Sequence, residues 1–262
     1  MNRILDYDNL SKQIQYWIVS YAHKNNIKSL VVGVSGGIDS AVVSKLCAET
    51  GLPTIVVSMP IHSSPKNTKL SERQASQLNF DYPDNVTWID VDLTSTFDKF
   101  RFTVDTFASS ELAYANTKSR LRMITLYQIA ASNGGIVVGT GNKVEDFGVG
   151  FYTKYGDGGV DISPIADLYK TEVRNLGKFL EVDDEIINAA PTDGLWDDDR
   201  SDEDQIGASY PELEWAMEYD ATELKIETNG LTERQQTVLA IYRKLNKANQ
   251  HKMLPIPVCI LP

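Results

Sequence analysis

The sequence predicts an α/β fold, a doubly wound and mostly parallel sheet with helices on both faces. Three observations lead there. Apolar, β-branched runs occur at 30–34, 54–59, 86–91 and 136–139. They are continuous rather than alternating, as strands buried on both faces must be. Helical stretches at 41–50, 66–79 and 111–132 separate them, and strands alternating with helices give a sheet covered on both sides. A glycine-serine loop joins the first run to an apolar helix beginning at Ala41.

The elements follow in order. Residues 8–25 carry Ile14, Trp17, Ile18 and Tyr21 on one side of a helix, with Asn9 or Ser11 as its cap. The four runs and their intervening helices come next. Residues 148–159 form a glycine-rich loop with interleaved aromatics, and 170–180 reads as a short amphipathic helix. Between Asp193 and Asp220 stand eleven acidic residues and one basic residue, Arg200. Such a run reads as a solvated, mobile loop, with a regulatory or lid role as the alternative. A last helix covers 231–247, before a tail containing Pro255 and Pro257.

A length of 262 residues fits one large domain, and 42% hydrophobic with 23% charged residues is ordinary for a soluble protein. The longest apolar runs are too short to cross a bilayer. Asp6 and Asp8 interrupt the N-terminus where a signal peptide would be apolar, so a cytoplasmic location is expected. Cys47 and Cys259 make no disulfide framework, and Cys47 reads as a small core residue. Isolated His23, His62 and His251 argue against a zinc site. A net charge of −11 disfavours nucleic acid and anionic membrane as partners. It does not exclude a small anion, which local charges can hold.

Chemistry concentrates in Gly33-Val34-Ser35-Gly36-Gly37-Ile38-Asp39-Ser40. A loop between strand and helix aims several backbone N–H groups at one point, with the helix dipole behind them. The glycines let a phosphate approach, and Ser35 and Ser40 add hydroxyl donors. Asp39 would repel a bare phosphate and therefore implies a bridging Mg²⁺. No Gly-Lys-Ser/Thr follows, so this is not a Walker A loop, and the glycine spacing does not fit G-x-G-x-x-G.

The string Ser-Gly-Gly-x-Asp-Ser resembles the pyrophosphatase loop of ATP enzymes that cleave between the α and β phosphates and transfer AMP to an oxygen. That loop leaves the acceptor open. Later blocks narrow it: Asn116 to Met123 resembles N-x-x-x-R-x-R-M of NAD synthetases, and Gly139-Thr140-Gly141-Asn142-Lys143-Val144-Glu145 resembles their G-T-x-N-K-x-E segment. Gly150 to Asp161 is similar to the family's aromatic G-D-G block, and Pro164, Leu168, Lys170, Pro191-Thr192, Asp202-Glu203, Gly207, Tyr210, Tyr242 and His251-Lys252 follow in its order. The resemblance spans about residues 8–257.

That resemblance implies an ammonia-dependent NAD synthetase, a ligase that adenylates the nicotinate carboxylate of deamido-NAD with Mg·ATP. Ammonia then displaces AMP to give NAD. It implies that Gly33, Val34, Ser35, Gly36, Gly37, Ile38, Asp39, Ser40, Thr140, Lys170 and Thr192 bind ATP. Arg120, Lys154, Asp161, His251 and Lys252 would hold deamido-NAD. Asp39 and Glu145 would hold Mg²⁺. Asp39 and Lys170 carry the catalytic assignment, with Lys170 stabilising charge as pyrophosphate leaves. The family is typically a homodimer whose dinucleotide site is built partly at the subunit interface.

Two positions depart from the family pattern. The metal glutamate usually stands four residues before the glycine of the aromatic block, but Glu145 precedes Gly150 by five, leaving Asp146 as an alternative ligand. His251-Lys252-Met253 replaces the usual His-Lys-Arg, so a guanidinium that would hold a substrate phosphate is missing. A glutamine-hydrolysing amidase domain has no room in this length, so ammonia is the expected nitrogen source. A tRNA-modifying or GMP synthetase-type relative would need a thiolation cysteine pair or a basic RNA surface, and neither is visible. A non-catalytic nucleotide sensor would be expected to have altered Asp39, Lys170 or Thr192, and all three are present.

Overall fold

A computed structural model describes residues 6–107, 110–192, 194–196, 201–222 and 230–261. Helix α1 (Tyr7–Lys24) is capped by Asp6, whose carboxylate accepts from Asn9 N–H at 3.2 Å. Neither Asn9 nor Ser11 is the cap, because Ser11 lies buried inside the first turns and donates to Asp8 O. The buried stripe is Ser11, Ile14, Ile18 and Ala22, spaced three and four apart. Trp17 falls outside it and is 44% exposed.

Strand β1 (Leu30–Val34) leads through the glycine loop to α2 (Ile38–Glu49), then β2 (Thr54–Ser58), α3 (Pro65–Asp81) and β3 (Val86–Asp90). Two helices, α4 (Thr94–Val104) and α5 (Glu111–Ser132), precede β4 (Ile136–Val137). The strands pair in parallel in the order β3-β2-β1-β4, with Leu30 facing Thr54 on one side and Ile136 on the other. The doubly wound architecture is therefore present. Leu30, Val32, Ile136 and Val138 pack against α1, α2 and the later helix α6 (Lys170–Phe179) on one face. Val31, Ile55, Val57 and Val137 meet Phe97 of α4 and Tyr114 and Ala130 of α5 on the other. Burial on both faces is why the runs of β1, β2 and β4 lack alternation, whereas β3, expected as a buried strand, lies at the sheet edge and leaves Thr87 and Asp90 exposed. Each fully buried Val or Leu contributes roughly 1.5–3 kcal/mol.

Helix α4 is absent from the sequence reading for a physical reason. Residues 94–104 are rich in threonine and phenylalanine, which favour strands. The helix buries only Phe97, and Leu93 at its N-cap makes no side-chain hydrogen bond. Helix α2 starts at Ile38, three residues before the expected Ala41, so Asp39 and Ser40 lie in its first turn.

After β4 come a π-helical turn (Val144–Val149), α6 (Lys170–Phe179), α7 (Asp184–Ile187), α8 (Asp202–Ile206), α9 (Tyr210–Ala221) and α10 (Glu233–Met253). Part of the acidic stretch read as a mobile loop is thus helical. Its Asp193, Asp197, Asp198, Asp199 and Arg200 lie outside the described residues. Of the others, Asp202, Glu203 and Asp204 occupy the first turn of α8, and Glu212 that of α9. Negative charge is favourable there, next to the positive end of the helix dipole. Asp204 and Glu212 complete capping boxes with Ser201 and Ser209. The acidity that suggested solvation is largely helix-starting chemistry.

Helices α9 and α10 pack on the π-turn through Tyr210, Leu213, Val238, Leu239 and Tyr242. A fork between Arg234 and Glu212 (2.6 and 2.7 Å) ties their surfaces together. The Arg234 hydrogen bond comes first among the causes that depress the Glu212 pKa from 4.5 to about 2. A depressed carboxylate pKa stabilises the fold above the unfolded value and loses that effect as pH falls through the folded one. Glu212→Gln is therefore expected to unfold at a lower temperature than the parent at pH 7. Scanning calorimetry should show that gap closing below about pH 4.5 and gone only once the pH falls below about 2. Among the described residues, no helix is long and apolar enough to cross a membrane.

Candidate active site

The chain winds from β1 to β2 and β3 on one side and places β4 on the other, so the winding direction reverses between β1 and β4. Connections on either side of such a point diverge and leave a crevice at the carboxyl ends of the strands. A cleft of ≈ 290 Å³ opens there. It is lined by Gly33–Ser40 after β1, Ser58 and Met59 at the end of β2, Gly139–Gly141 after β4, and Lys170, Thr192 and Leu195.

The glycine loop is held internally and left open outward. Ser35 N–H donates to Ser40 Oγ (3.1 Å), Ser40 Oγ–H to Gly37 O (3.0 Å), and Gly37 N–H to Ser35 Oγ (3.3 Å). Gly37 is the N-cap of α2 and has no side chain to cover the helix end. The first amides of α2 therefore face the cleft with the dipole behind them, which suits a phosphate. Gly36 sits at φ +85°, and a Cβ there would stand 3.0 Å from the Asn67 carbonyl oxygen of α3. Only glycine fits both the backbone angle and the close approach.

Three expected residues from distant parts of the chain meet at the centre. Lys170 Nζ, 4% exposed as a residue, donates to Asp39 Oδ2 and to Glu145 Oε1 at 3.0 Å. Asn142, fully buried, donates to the same Asp39 oxygen at 3.4 Å, while its Oδ1 accepts from Val144 and Glu145 N–H. Burial pushes the Asp39 carboxyl up to about 6, against the pull of Lys170. Burial works against the Lys170 charge, but Asp39 and Glu145 outweigh it and raise its pKa, so the side chain is an ammonium at neutral pH.

The five-residue spacing from Glu145 to Gly150 is spanned by the π-turn. Its wider loop closes with Gly150 N–H donating to Glu145 O, and Gly150 ends it at φ 65°. The result brings both Glu145 and Asp146 to the cleft wall. Glu145 makes the contacts with Lys170. Asp146 packs against the backbone opposite, where a Cβ on Gly141 would run into its carboxylate oxygens. Burial, reinforced by Glu145, Asp157 and Asp39, lifts the Asp146 carboxyl to about 8.

The donor set fits a divalent cation. Asp39 Oδ1 is buried and has no hydrogen-bond partner among the described residues. Among the described residues, the Glu145 carboxylate takes both of its hydrogen bonds on Oε1. Hard cations such as Mg²⁺ are held by one or two carboxylates together with substrate phosphates. That matches this pair: among the described residues, no group of three or more His, Cys, Asp and Glu side chains could hold a metal unaided.

The residues expected to hold deamido-NAD lie elsewhere. Arg120, Lys154, Asp161, His251 and Lys252 are not among the cleft-lining side chains. Four of them nevertheless form one group at its rim. Arg120 of α5 donates to Lys154 O (3.4 Å), and Lys154 Nζ donates to His251 O in the last turn of α10. Lys252 Nζ donates to Gly150 O and Tyr152 O, both at 2.7 Å. Helix α10 runs to Met253, beyond the expected 247, and thereby delivers His251 and Lys252 to the aromatic loop. Asp161 stands apart: its carboxylate accepts from Val137 N–H of β4 (2.8 Å) and Tyr127 OH (3.1 Å).

Sequence reasoning gave no role to Asn142, Tyr210 or Asp202, which the fold places around Lys170. Asn142 had a legible signal, since an Asn two and three residues before amides it caps is an Asx turn. Tyr210 and Asp202 had none beyond their place in the resemblance.

A family model described as NAD synthase matches residues 10–255. The chain is 39% identical over 213 residues to an NH(3)-dependent NAD(+) synthetase of Finegoldia magna, covering 80% of this chain and 84% of that one. It is 42% identical over 195 residues to a protein of the same name from Mesoplasma florum, covering 73% and 76%. A solved NMN synthetase from Francisella tularensis superposes with a TM-score of 0.83 at 27% identity, over 99% of each chain. An NH3-dependent NAD synthetase from Campylobacter jejuni shares the fold, with a TM-score of 0.79 at 22% identity over 98% of this chain and 100% of that one.

Proposed function

Because the chain belongs to the NAD synthase family, we propose that it is an ammonia-dependent NAD synthetase acting on deamido-NAD, Mg·ATP and ammonia. One observation carries the reading. A buried ammonium, Lys170, is held between Asp39 and Glu145 beside the uncapped start of α2. Such a charge is placed for a polyphosphate that must lose its pyrophosphate.

In this reading the amides of 37–40, with Ser35 and Ser40, cradle the ATP phosphates, and Thr140 and Thr192 border the nucleotide. Asp39 and Glu145 would hold Mg²⁺, which when bound adds positive charge to the phosphates. Lys170 stabilises the negative charge that grows on the β-phosphate oxygens as the bond to the α-phosphorus breaks. The incoming nucleophile is the substrate's own nicotinate carboxylate oxygen, so no side-chain nucleophile is needed. Ammonia then attacks the carbonyl carbon of the adenylate, AMP leaves, and a proton is lost from nitrogen. Arg120, Lys154, His251 and Lys252 hold the dinucleotide at the cleft rim, with Asp161 at its far edge. That rim lies on the exposed side of α5, where Ile124 is 58% exposed. A second copy of the chain would cover it, giving a homodimer that works in the cytoplasm.

A second reading changes only the length of the substrate. Likeness to an NMN synthetase over 99% of both chains, and Met253 standing where the family carries arginine, favour a mononucleotide with fewer phosphates to hold. One experiment separates them. The protein is incubated with Mg·ATP, ammonium and either deamido-NAD or nicotinate mononucleotide. We expect NAD, AMP and pyrophosphate in equal amounts, with kcat/KM at least about ten-fold higher for deamido-NAD, a discrimination of about 1.4 kcal/mol. Higher efficiency with the mononucleotide would transfer the assignment to the second reading. ADP as product would overturn both.

A further inference from the structure

Tyr210 takes no part in the roles above, yet it touches the centre of the site. Its ring is 2% exposed and packs among Leu213, Val144 and Val149 at the start of α9. Its hydroxyl donates to Glu145 Oε1 at 2.5 Å, and Asp202 Oδ2 lies 3.2 Å away. Lys170 Nζ donates to that same Glu145 oxygen at 3.0 Å and stands 4.9 Å over the Tyr210 ring. Two donors from two helices therefore converge on Oε1. Glu145 Oε2 receives no hydrogen bond among the described residues.

We propose that Tyr210 is a positioning residue, which fixes the rotation of the Glu145 carboxylate so that Oε2 is presented to the divalent cation. The inference rests on the proposed use of Mg·ATP. A carboxylate held by one ammonium alone can turn both oxygens onto it and so withhold them from a metal. A second donor on the same oxygen prevents that rotation. The phenol suits the task because a hydroxyl is an uncharged donor. It therefore adds no charge to compete with a cation, as a second lysine would.

The phenol is itself rigidly placed. Tyr210 N–H donates to Glu203 Oε1 at 2.9 Å in the preceding helix. Asp202 N–H donates to Pro191 O at 2.9 Å, next to Thr192. One hydroxyl thus connects the segment bearing Thr192 to the carboxylate that would hold the metal. A purely structural need does not explain the geometry, because Asp202 could accept the single phenolic proton, while the shorter contact is to Glu145.

The test is Mn²⁺ binding, read from loss of the free-ion electron paramagnetic resonance signal in the presence of α,β-methylene-ATP. For Tyr210→Phe, loss of a hydrogen bond to a charged group should raise the Mn²⁺ dissociation constant about ten-fold. The Mg²⁺ concentration needed for half-maximal synthesis should rise in parallel, and excess Mg²⁺ should recover the lost rate. KM for deamido-NAD should not move. Unchanged Mn²⁺ affinity, or a rate loss that excess Mg²⁺ does not recover, overturns the proposal. Should the phenylalanine variant fail to fold, Tyr210→4-aminophenylalanine keeps a weaker neutral donor in the same shape. There the affinity should fall by about three-fold, and parental affinity overturns the proposal. If the parent protein makes no NAD, the proposed function fails, while the Mn²⁺ measurement still reads Tyr210.

Discussion

Lys170→Met is expected to lower kcat by about a thousand-fold and the thermal midpoint by about 8 °C. The catalytic loss follows from removing a preorganised charge in a largely water-excluded site, where one such group is worth about 10²–10³ in rate. The stability loss has a separate cause. Methionine keeps the stem of the side chain, so packing is retained, but Asp39 and Glu145 are left facing each other without a cation. Stripping one partner from a buried ion pair costs about 3–5 kcal/mol, and in a chain of this size each kcal/mol moves the midpoint by about 2–4 °C. Steady-state kinetics and calorimetry on the same preparation separate the two effects. Near-parental turnover would remove Lys170 from the mechanism, and an unchanged midpoint would show that the carboxylates are not stabilised by it.

Asp39→Asn is expected to cost about the same factor in turnover, about a thousand-fold, with the midpoint unchanged or raised. The contrast is the informative part. Asp39 is a buried carboxylate whose desolvation already exceeds what its partners return, as its upward pKa shift records. Asparagine is nearly the same size and removes that charge while Lys170 keeps Glu145 as its counter-ion. Folding therefore does not suffer, but the site loses a ligand for the cation that the phosphates require. A fall in the midpoint comparable with that of Lys170→Met would mean that Asp39 is retained for the fold rather than for the reaction.

Much of this site was legible before any coordinates. The glycine loop lies at 33–40 between strand and helix because its sequence is local: the backbone angles, helix start and open amides all follow from neighbours in the chain. Conversely, α4 was hidden because its threonines and phenylalanines favour strands and its support is tertiary, centred on Phe97, which packs against Tyr114 and the sheet. The acidic stretch misled because composition records charge without position. Asp204 and Glu212 read as solvated acids, whereas their partners Ser201 and Ser209 make them helix caps.

What the sequence determined by itself is therefore the fold class, the glycine loop between strand and helix, and the family, all of which rest on local pattern or on motif order. Short, β-branched apolar runs bounded by turns read as strands of a covered sheet, and a Ser-Gly-Gly-x-Asp-Ser string between strand and helix leaves open amides that suit a phosphate. The tertiary structure alone decided which carboxylates share Lys170, how the five-residue spacing from Glu145 to Gly150 is spanned, and that Tyr210 holds Glu145. It also separated Asp161 from Arg120, Lys154, His251 and Lys252. These contacts join residues from 25 to more than 100 positions apart. Their distances depend on helix register and on the π-turn, and neither can be read from a spacing along the chain. The glycine loop is a property of its own residues. The charge it works against is a property of the fold.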